Sequence, residues 1–399
     1  MAVSPLPTWN EVPVDLAKLR VERLQRLRET LIAADCAGAV FLDPINIRYA
    51  TDVANMQVWC LHNPARYAFV AAEGPVILFE FPSCSHLGEG MDLIDEVRPG
   101  QSWIYLMAGP EAEKVAGSWA DEIAELVRSS GGENRRLAVD RLDWMGYLAL
   151  GARGIEVVEG QSIVEEARRI KTPEELRAMR DAIGACEAGV GVMRDSLEPG
   201  ITEQQLWAVL HQQNIALGGE WIEARMLNSG PRTNPWYQEC SDRVIQNGDL
   251  VALDTDLIGR HGYCCDISRT WLCGDGTPSD AQRRTYALAH RHLQRLLDGI
   301  GPGITFTSLA DAIGDPPPGY RVYSCLAHGV GLCDEYPVAF WKTQREYYDA
   351  RLEASMTLCI ESYLGPEDGG EGVKLEEQVL ITEDGVETLS TFPLEQDWL

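Results

Sequence analysis

The apolar positions of the first 165 residues change period along the chain. In "DLAKLRVERLQRLRETLIAADCAG" Leu16, Leu19, Leu24, Leu27 and Leu31 recur at near-helical spacing and predict an amphipathic helix. "GAVFLDPINIRYAT" then reads as a buried strand followed by a loop. The short apolar runs "YAFVAAEGPVILFEF" and "RRLAVD" alternate with helical stretches such as "AEKVAGSWADEIAELVRSS", which predicts a mixed sheet flanked by helices. None of the turns carries a nucleotide-binding glycine fingerprint.

A boundary follows. In "IKTPEELRAMRDAIGACEAGV" Thr172 is placed to cap a helix, Pro173 takes the first helical position, and Glu175 completes a capping box. Thr202 and Gln205 repeat the device in "PGITEQQLWAVLHQQN". Beyond it, "GDLVALDTDLIGRHGYCCDISRTWLC" alternates in period two around a glycine-bounded tip at Gly259 to Gly262, which predicts a β-hairpin. "GDPPPGY" reads as a loop, and "TLCIESYLG" and "GVKLEEQVLITEDG" as strands. The expected organisation is an α/β (α+β) protein with an N-terminal domain over residues 1–165 and a C-terminal domain over 166–399. No internal repeat or low-complexity segment interrupts it.

Composition narrows the partners. The 399 residues are 45% apolar, more than one core normally absorbs. Lysine and arginine total 34 against 61 aspartates and glutamates, a net charge of −27 that repels phosphate backbones and anionic membrane surfaces. The eleven cysteines form no Cys-x-x-Cys pair. With no basic, apolar leader in "MAVSPLPTWNEVPVDLAK" and no apolar run near ~20 residues, a reduced, cytoplasmic protein without a membrane span is expected.

Candidate chemistry concentrates in the C-terminal half. Asp254 and Asp256 fall on one face of the predicted hairpin, and Asp266 returns on the partner strand. Edge-strand aspartates often face solvent, but Val251, Leu253, Leu257 and Ile267 mark a buried strand, where carboxylates need a partner. Glu361 and Glu376 lie inside apolar strands, and His328 in "HGVGLCDEYP" adds an imidazole. Asp256, Asp266, His328, Glu361 and Glu376 make an oxygen-rich donor set with one nitrogen, suited to Mn, Fe, Co or Zn. Four carboxylates carry −4, which two divalent cations cancel, so a binuclear site is expected.

In this order Asp, Asp, His, Glu, Glu, residues 166 to 390 resemble the pita-bread metalloenzymes of the methionine aminopeptidase, prolidase and creatinase superfamily. The motifs stand here as "DTDLIGRHGYCCDISRT", "AHGVGLCDEYP" and "KLEEQ". The preceding α/β domain resembles that of creatinase and prolidase. Peptidases of the superfamily carry a histidine before the first aspartate, where this chain reads "NPWYQE" with Trp236, and a second before the glutamate of the "HE.P" motif, where it has Asp334 before Glu335. The metal aspartates commonly lie eleven apart; here Asp256 is ten and Asp254 twelve residues before Asp266.

Both histidine replacements are shared by one branch, the metallopeptidase-like dimethylsulfoniopropionate lyases of DddP type. "DPINIRYATDVANMQVWCLHNP", "GGEWIEARMLNSGPRTNPWYQEC" and "KLEEQVLIT" are similar to its segments. The resemblance implies a metal set of Asp254, Asp256, Asp266, His328, Glu361 and Glu376 with iron as the metal, Asp334 as base, Tyr323 as assisting phenol, and a homodimer. It also implies β-elimination of a sulfonium zwitterion to dimethyl sulfide and acrylate. That chemistry suits the departures, because the leaving group departs neutral and one base suffices. A sulfonium cation favours aromatic faces, for which Trp59, Trp236, Tyr237 and Tyr323 are candidates, with Tyr336 and Trp341 behind; taken singly, each reads first as core packing, and only Trp236, standing where peptidases keep a histidine, reads equally as either. The other six histidines, His261, His290 and His292 among them, read as surface residues. The competing readings are an Xaa-Pro peptidase or creatinase-type hydrolase on the same metal set, and a catalytically silent binding protein.

Overall fold

The computed structural model describes residues 7, 9–343 and 348–399. The chain divides into two compact units. One is Asp15–Arg168; the other joins Arg169–Leu399 with residues 9–14 of the amino terminus.

In the first unit the helix Leu16–Ala33 buries Leu19, Leu24, Leu27 and Leu31, as their spacing requires. Six strands form one mixed sheet: β1 (Gly38–Phe41), β2 (Tyr67–Ala71), β3 (Val76–Glu80), β4 (Glu96–Pro99), β5 (Arg136–Val139) and β6 (Glu156–Glu159), in the order β4-β3-β2-β1-β5-β6. The pairs β1/β2 and β2/β3 are antiparallel and the rest parallel. Helix Ala112–Gly131 covers the sheet with Ala116, Trp119, Ala120, Ile123 and Val127. Residues 44–51, expected as a loop, are a helix, Pro44–Thr51. Asp43 caps it by accepting from Ile45 N at 2.8 Å, and Pro44 occupies its first turn.

In the second unit both capping boxes form. Thr172 starts helix Pro173–Asp195, with Glu175 Oε2 accepting Thr172 N at 2.8 Å, and Thr202 starts helix Glu203–Ala216. The amino-terminal segment packs on the first of these helices, where Trp9 N donates to Asp181 Oδ1 at 3.1 Å. A small sheet follows: β7 (Leu227–Ser229) and β11 (Ser268–Leu272) flank β8 (Leu250–Asp254), while β9 (Leu257–Ile258) pairs with β10 (Cys264–Cys265). The larger sheet contains β12 (Tyr320–Val322), β13 (Cys325–Val330), β14 (Asp334–Phe340), β15 (Thr357–Pro366), β16 (Val373–Ile381) and β17 (Val386–Thr388). Its order is β14-β13-β15-β16-β17, with β12 also paired to β15.

The central strands of this sheet, β13, β15 and β16, are buried on both faces. Leu358, Ile360 and Leu364 of β15 and Leu375, Val379 and Ile381 of β16 enter one core with Tyr286, Ala289, Leu293 and Leu296 of helix Asp280–Gly299. Each such aliphatic side chain contributes about 1.5–3 kcal/mol when fully buried. The alternate residues, Cys359 and Glu361 on β15 and Lys374, Glu376 and Gln378 on β16, turn to the opposite face, toward β10 and β11. His292, expected at the surface, is instead buried, because it lies three residues beyond Ala289 on the inward stripe of its helix. Its Nδ1 lies 2.9 Å from Ser362 Oγ, and its ring stacks on Trp341 with centroids 4.7 Å apart.

Candidate metal centre and its cavity

The expected hairpin forms, but in two ladders. β8 pairs with β11, with Asp254 opposite Ser268, and β9 pairs with β10. Between the ladders Thr255 Oγ1 donates to Cys265 O and accepts from Ile267 N, replacing the missing backbone bonds. Asp256 has φ +36°, so Asp254 and Asp256 do not share a face through strand alternation. The break sends them to two neighbouring clusters.

The first cluster surrounds Lys374. Its fully buried Nζ lies 3.0 Å from Asp254 Oδ2, 2.8 Å from Glu361 Oε2 and 2.8 Å from Glu376 Oε2. Ser268 Oγ is 2.7 Å from both Asp254 Oδ1 and Glu376 Oε2 and 2.9 Å from the ammonium. Glu361 and Glu376 stand directly opposite on β15 and β16.

The second cluster surrounds His328 on β13. Its Nε2 is 3.5 Å from Asp266 Oδ2, 3.7 Å from Glu376 Oε1 and 3.9 Å from Glu361 Oε1. These separations exceed good hydrogen bonds but suit neighbouring ligands of one ion, which at bond lengths of ~2.0–2.2 Å lie roughly 3–3.5 Å apart. Nδ1 lies 3.0 Å from Gly329 O, an interaction that holds the ring with Nε2 toward the carboxylates. Glu376 Oε1 is buried and has no hydrogen-bond partner. Donor atoms of Asp266, His328, Cys359 and Glu376, of Asp254, Glu361 and Glu376, and of Asp256, Asp266 and Asp334 form three groups, each within 4.8 Å.

Electrostatics point the same way. Burial, reinforced by neighbouring carboxylates, pushes Asp256 and Asp266 well above the usual carboxylate range, and Asp254 rises to about 7 despite Lys374. Burial opposes charge on Lys374 and His328 too, but the surrounding carboxylates outweigh it and hold both strongly protonated. Glu376 alone is lowered, since Lys374 and His328 overcome its burial. Crowded, desolvated carboxylates that would otherwise bind protons are the surroundings a divalent cation relieves. With His328 neutral, as a metal-ligating imidazole must be, five carboxylates against one ammonium leave a formal charge of −4, matched by two such ions. The residues fit a metal centre.

A cavity of about 230 Å³ opens onto these clusters, lined by Ala224, Met226, Tyr237, Glu239, Asp254, Asp256, Asp266, Tyr323, His328, Asp334 and Glu361. Asp334 begins β14 with its side chain 58% exposed and Oδ1 3.6 Å from His328 Nδ1. The next residue points the other way: Glu335 is buried, 2.7 Å from Lys171 Nζ, and accepts Leu332 N at 3.0 Å. Tyr237 stacks on Tyr323, with centroids 5.4 Å apart and an interplanar angle of 20°. Burial pushes the Tyr323 phenol far up, so it stays protonated, and Lys374 Nζ sits 5.9 Å from its ring centre.

One aromatic expectation needs revision. Trp236 is buried against Tyr363 at 5.9 Å and is absent from the cavity wall, where its neighbour Tyr237 stands instead. Trp59 belongs to the other unit, on helix Gln57–His62, with its ring edge-on to Phe81 at 5.5 Å. Lys374, Ser268 and Glu239 escaped the sequence reading. Lys374 was legible: two residues before Glu376 on a strand, it must share that residue's face.

Family profiles match both halves of the chain: the creatinase/prolidase N-terminal domain over residues 23–170 and metallopeptidase family M24 over residues 177–383. The dimethylsulfoniopropionate lyase DddP of Roseovarius nubinhibens is 42% identical over 96% of this chain and 87% of its own length. Its counterpart from Roseobacter denitrificans is 41% identical with the same coverage. Among solved structures, an Xaa-Pro dipeptidase from Bacillus anthracis superposes with a TM-score of 0.75 over 94% of this chain and 99% of that one, at 23% identity, a likeness of fold. The chain belongs to metallopeptidase family M24 and, within it, groups with the DddP lyases.

Proposed function

We propose that this protein is a carbon–sulfur lyase that cleaves dimethylsulfoniopropionate to dimethyl sulfide and acrylate. The observation that carries the reading is Asp334, an exposed carboxylate on the wall of the cavity that holds the metal donors, at a position where peptidases of the fold keep histidine. Asp334 takes the proton from the carbon next to the substrate carboxylate, the electron pair forms the C=C bond, and the C–S bond breaks with its pair going to sulfur. Dimethyl sulfide leaves neutral, so no group need protonate it. The protonated Tyr323 hydroxyl, beside Glu361 and Lys374, offers a hydrogen bond to the substrate carboxylate. The ring faces of Tyr237 and Tyr323 hold the sulfonium.

In the same reading Asp254, Asp256, Asp266, His328, Glu361 and Glu376 hold two divalent ions, iron in preference to Mn, Co or Zn. Bound there, the ions supply positive charge opposite the carboxylate as negative charge builds on it. The working form is a homodimer, and the compartment is the cytoplasm, with which the abundance of buried cysteine thiols agrees. Among the described residues no helix is long and apolar enough to cross a membrane.

The test is headspace detection of dimethyl sulfide from iron-reconstituted protein, with an Xaa-Pro dipeptide assayed alongside. Asp334→Ala should lose ~10²–10⁴ in rate with metal content unchanged. Proline release without sulfide, or an active Asp334→Ala, would overturn the reading.

A further inference from the structure

The walls of the cavity say more about the substrate's head than its charge. Among the described residues lining the cavity there is no lysine, arginine, asparagine or glutamine. Beyond the metal donors the wall combines the carboxylates of Asp334 and of Glu239, the latter also paired with Arg225, with the stacked rings of Tyr237 and Tyr323 and the apolar side chains of Met226 and Ala224. Tyr237 is 69% exposed, so its ring is accessible from the mouth.

Such a wall attracts a cation through long-range charge and ring quadrupoles, neither of which depends on the element that bears the charge. Apolar surface beside it suits a head clothed in methyl groups. Resting on the lyase reading above, we infer that the cavity recognises a methylated onium head as such, and that 3-(trimethylammonio)propanoate, the quaternary ammonium counterpart of the substrate, binds without being cleaved.

Cleavage separates the two compounds. In the sulfonium the C–S bonding pair leaves on a weakly basic sulfide. In the ammonium compound the same proton removal would have to expel trimethylamine, whose far higher basicity makes it a poor leaving group. Binding and turnover are therefore set by different parts of the molecule, the wall and the heteroatom.

Three analogues isolate the claim: the sulfonium substrate, the ammonium compound with its one additional methyl, and 4,4-dimethylpentanoate, the carbon isostere of the ammonium compound, which keeps the carboxylate but has an uncharged head. Calorimetric titration of metal-loaded protein should show the ammonium compound binding and the carbon compound at least tenfold weaker. The ammonium compound should raise the KM for dimethylsulfoniopropionate with kcat unchanged and yield no trimethylamine. Tyr237→Ala should weaken it by about 2- to 30-fold. Equal binding of the carbon and ammonium compounds would overturn the inference, as would sulfide release that the ammonium compound does not inhibit. If no sulfide is released at all, the lyase reading fails, and the preference for ammonium over carbon still decides onium recognition.

Discussion

Lys374→Met removes the one ammonium from a cluster of three buried carboxylates while keeping the side chain's length. Its Nζ is within 3.0 Å of each of Asp254, Glu361 and Glu376, and the residue is fully buried. Deleting one partner of a buried ion pair costs about 3–5 kcal/mol, chiefly because the remaining charge is stranded. For a unit of this size each kcal/mol moves the midpoint by about 2–4 °C, so metal-free Lys374→Met should melt roughly 6–20 °C below the parent. The loss should shrink at pH 5 relative to pH 8, because stranded carboxylates can take up protons, as Asp254, already raised to about 7, is inclined to do. Reloading with metal should also close part of the gap, since the ion neutralises the stranded carboxylates and so stabilises the variant more than the parent, whose ammonium already pairs with them. Calorimetry of chelator-treated and reloaded protein reads both effects. A metal-free variant that melts with the parent at pH 8 would show that Lys374 does not carry the charge balance assigned to it.

His292 supplies an acid-sensitive element: burial lowers it from 6.5 to about 4, so the unfolded chain binds its proton first as pH falls. Stability from this group is complete above about 6.5 and about 3 kcal/mol is lost by pH 4; His292→Phe should flatten that limb of a urea midpoint against pH profile, and an unchanged slope would refute the assignment. Lys171→Met leaves Glu335 stranded beside the turn that presents Asp334, and should cost about 3–5 kcal/mol and lower kcat while metal content holds; an unaltered kcat would separate the pair from the site. Thr172→Ala removes one capping box and should cost about 1 kcal/mol in denaturant titration, with metal content unaffected.

The donor set was legible because its residue types are costly to bury and stand in or directly beside strands that are otherwise apolar. The strand faces were harder to read. In "TLCIESYLG" both faces are covered, one by helix Asp280–Gly299 and the other by the site, so apolar residues occupy both phases and hide the period-two alternation. Glu376 and Glu377 illustrate the consequence: adjacent in sequence, one joins the cluster and the other pairs with Arg269 on the opposite side. Aromatic roles were least legible. Nothing in "NPWYQE" says which ring faces inward, and Tyr237 lies at φ +75°, a backbone setting that composition does not announce. The helix at Pro44 was signalled by its Asp-Pro start, but a run that short carries too few turns for periodicity to register.

The donors and the reactive wall are mounted differently. Glu361, Glu376 and His328 sit mid-strand in a sheet buried on both faces, where any exchange disturbs two layers of packing. Asp334 is the first residue of its strand, and Tyr237 lies outside any strand or helix. The reaction can therefore be rewritten at a few rim positions while the ion-holding chassis is inherited whole. For protein engineering this makes the rim the economical place to build: libraries at positions 237 and 239 explore new leaving groups with Asp334 kept as base and the buried Trp236 left in its core.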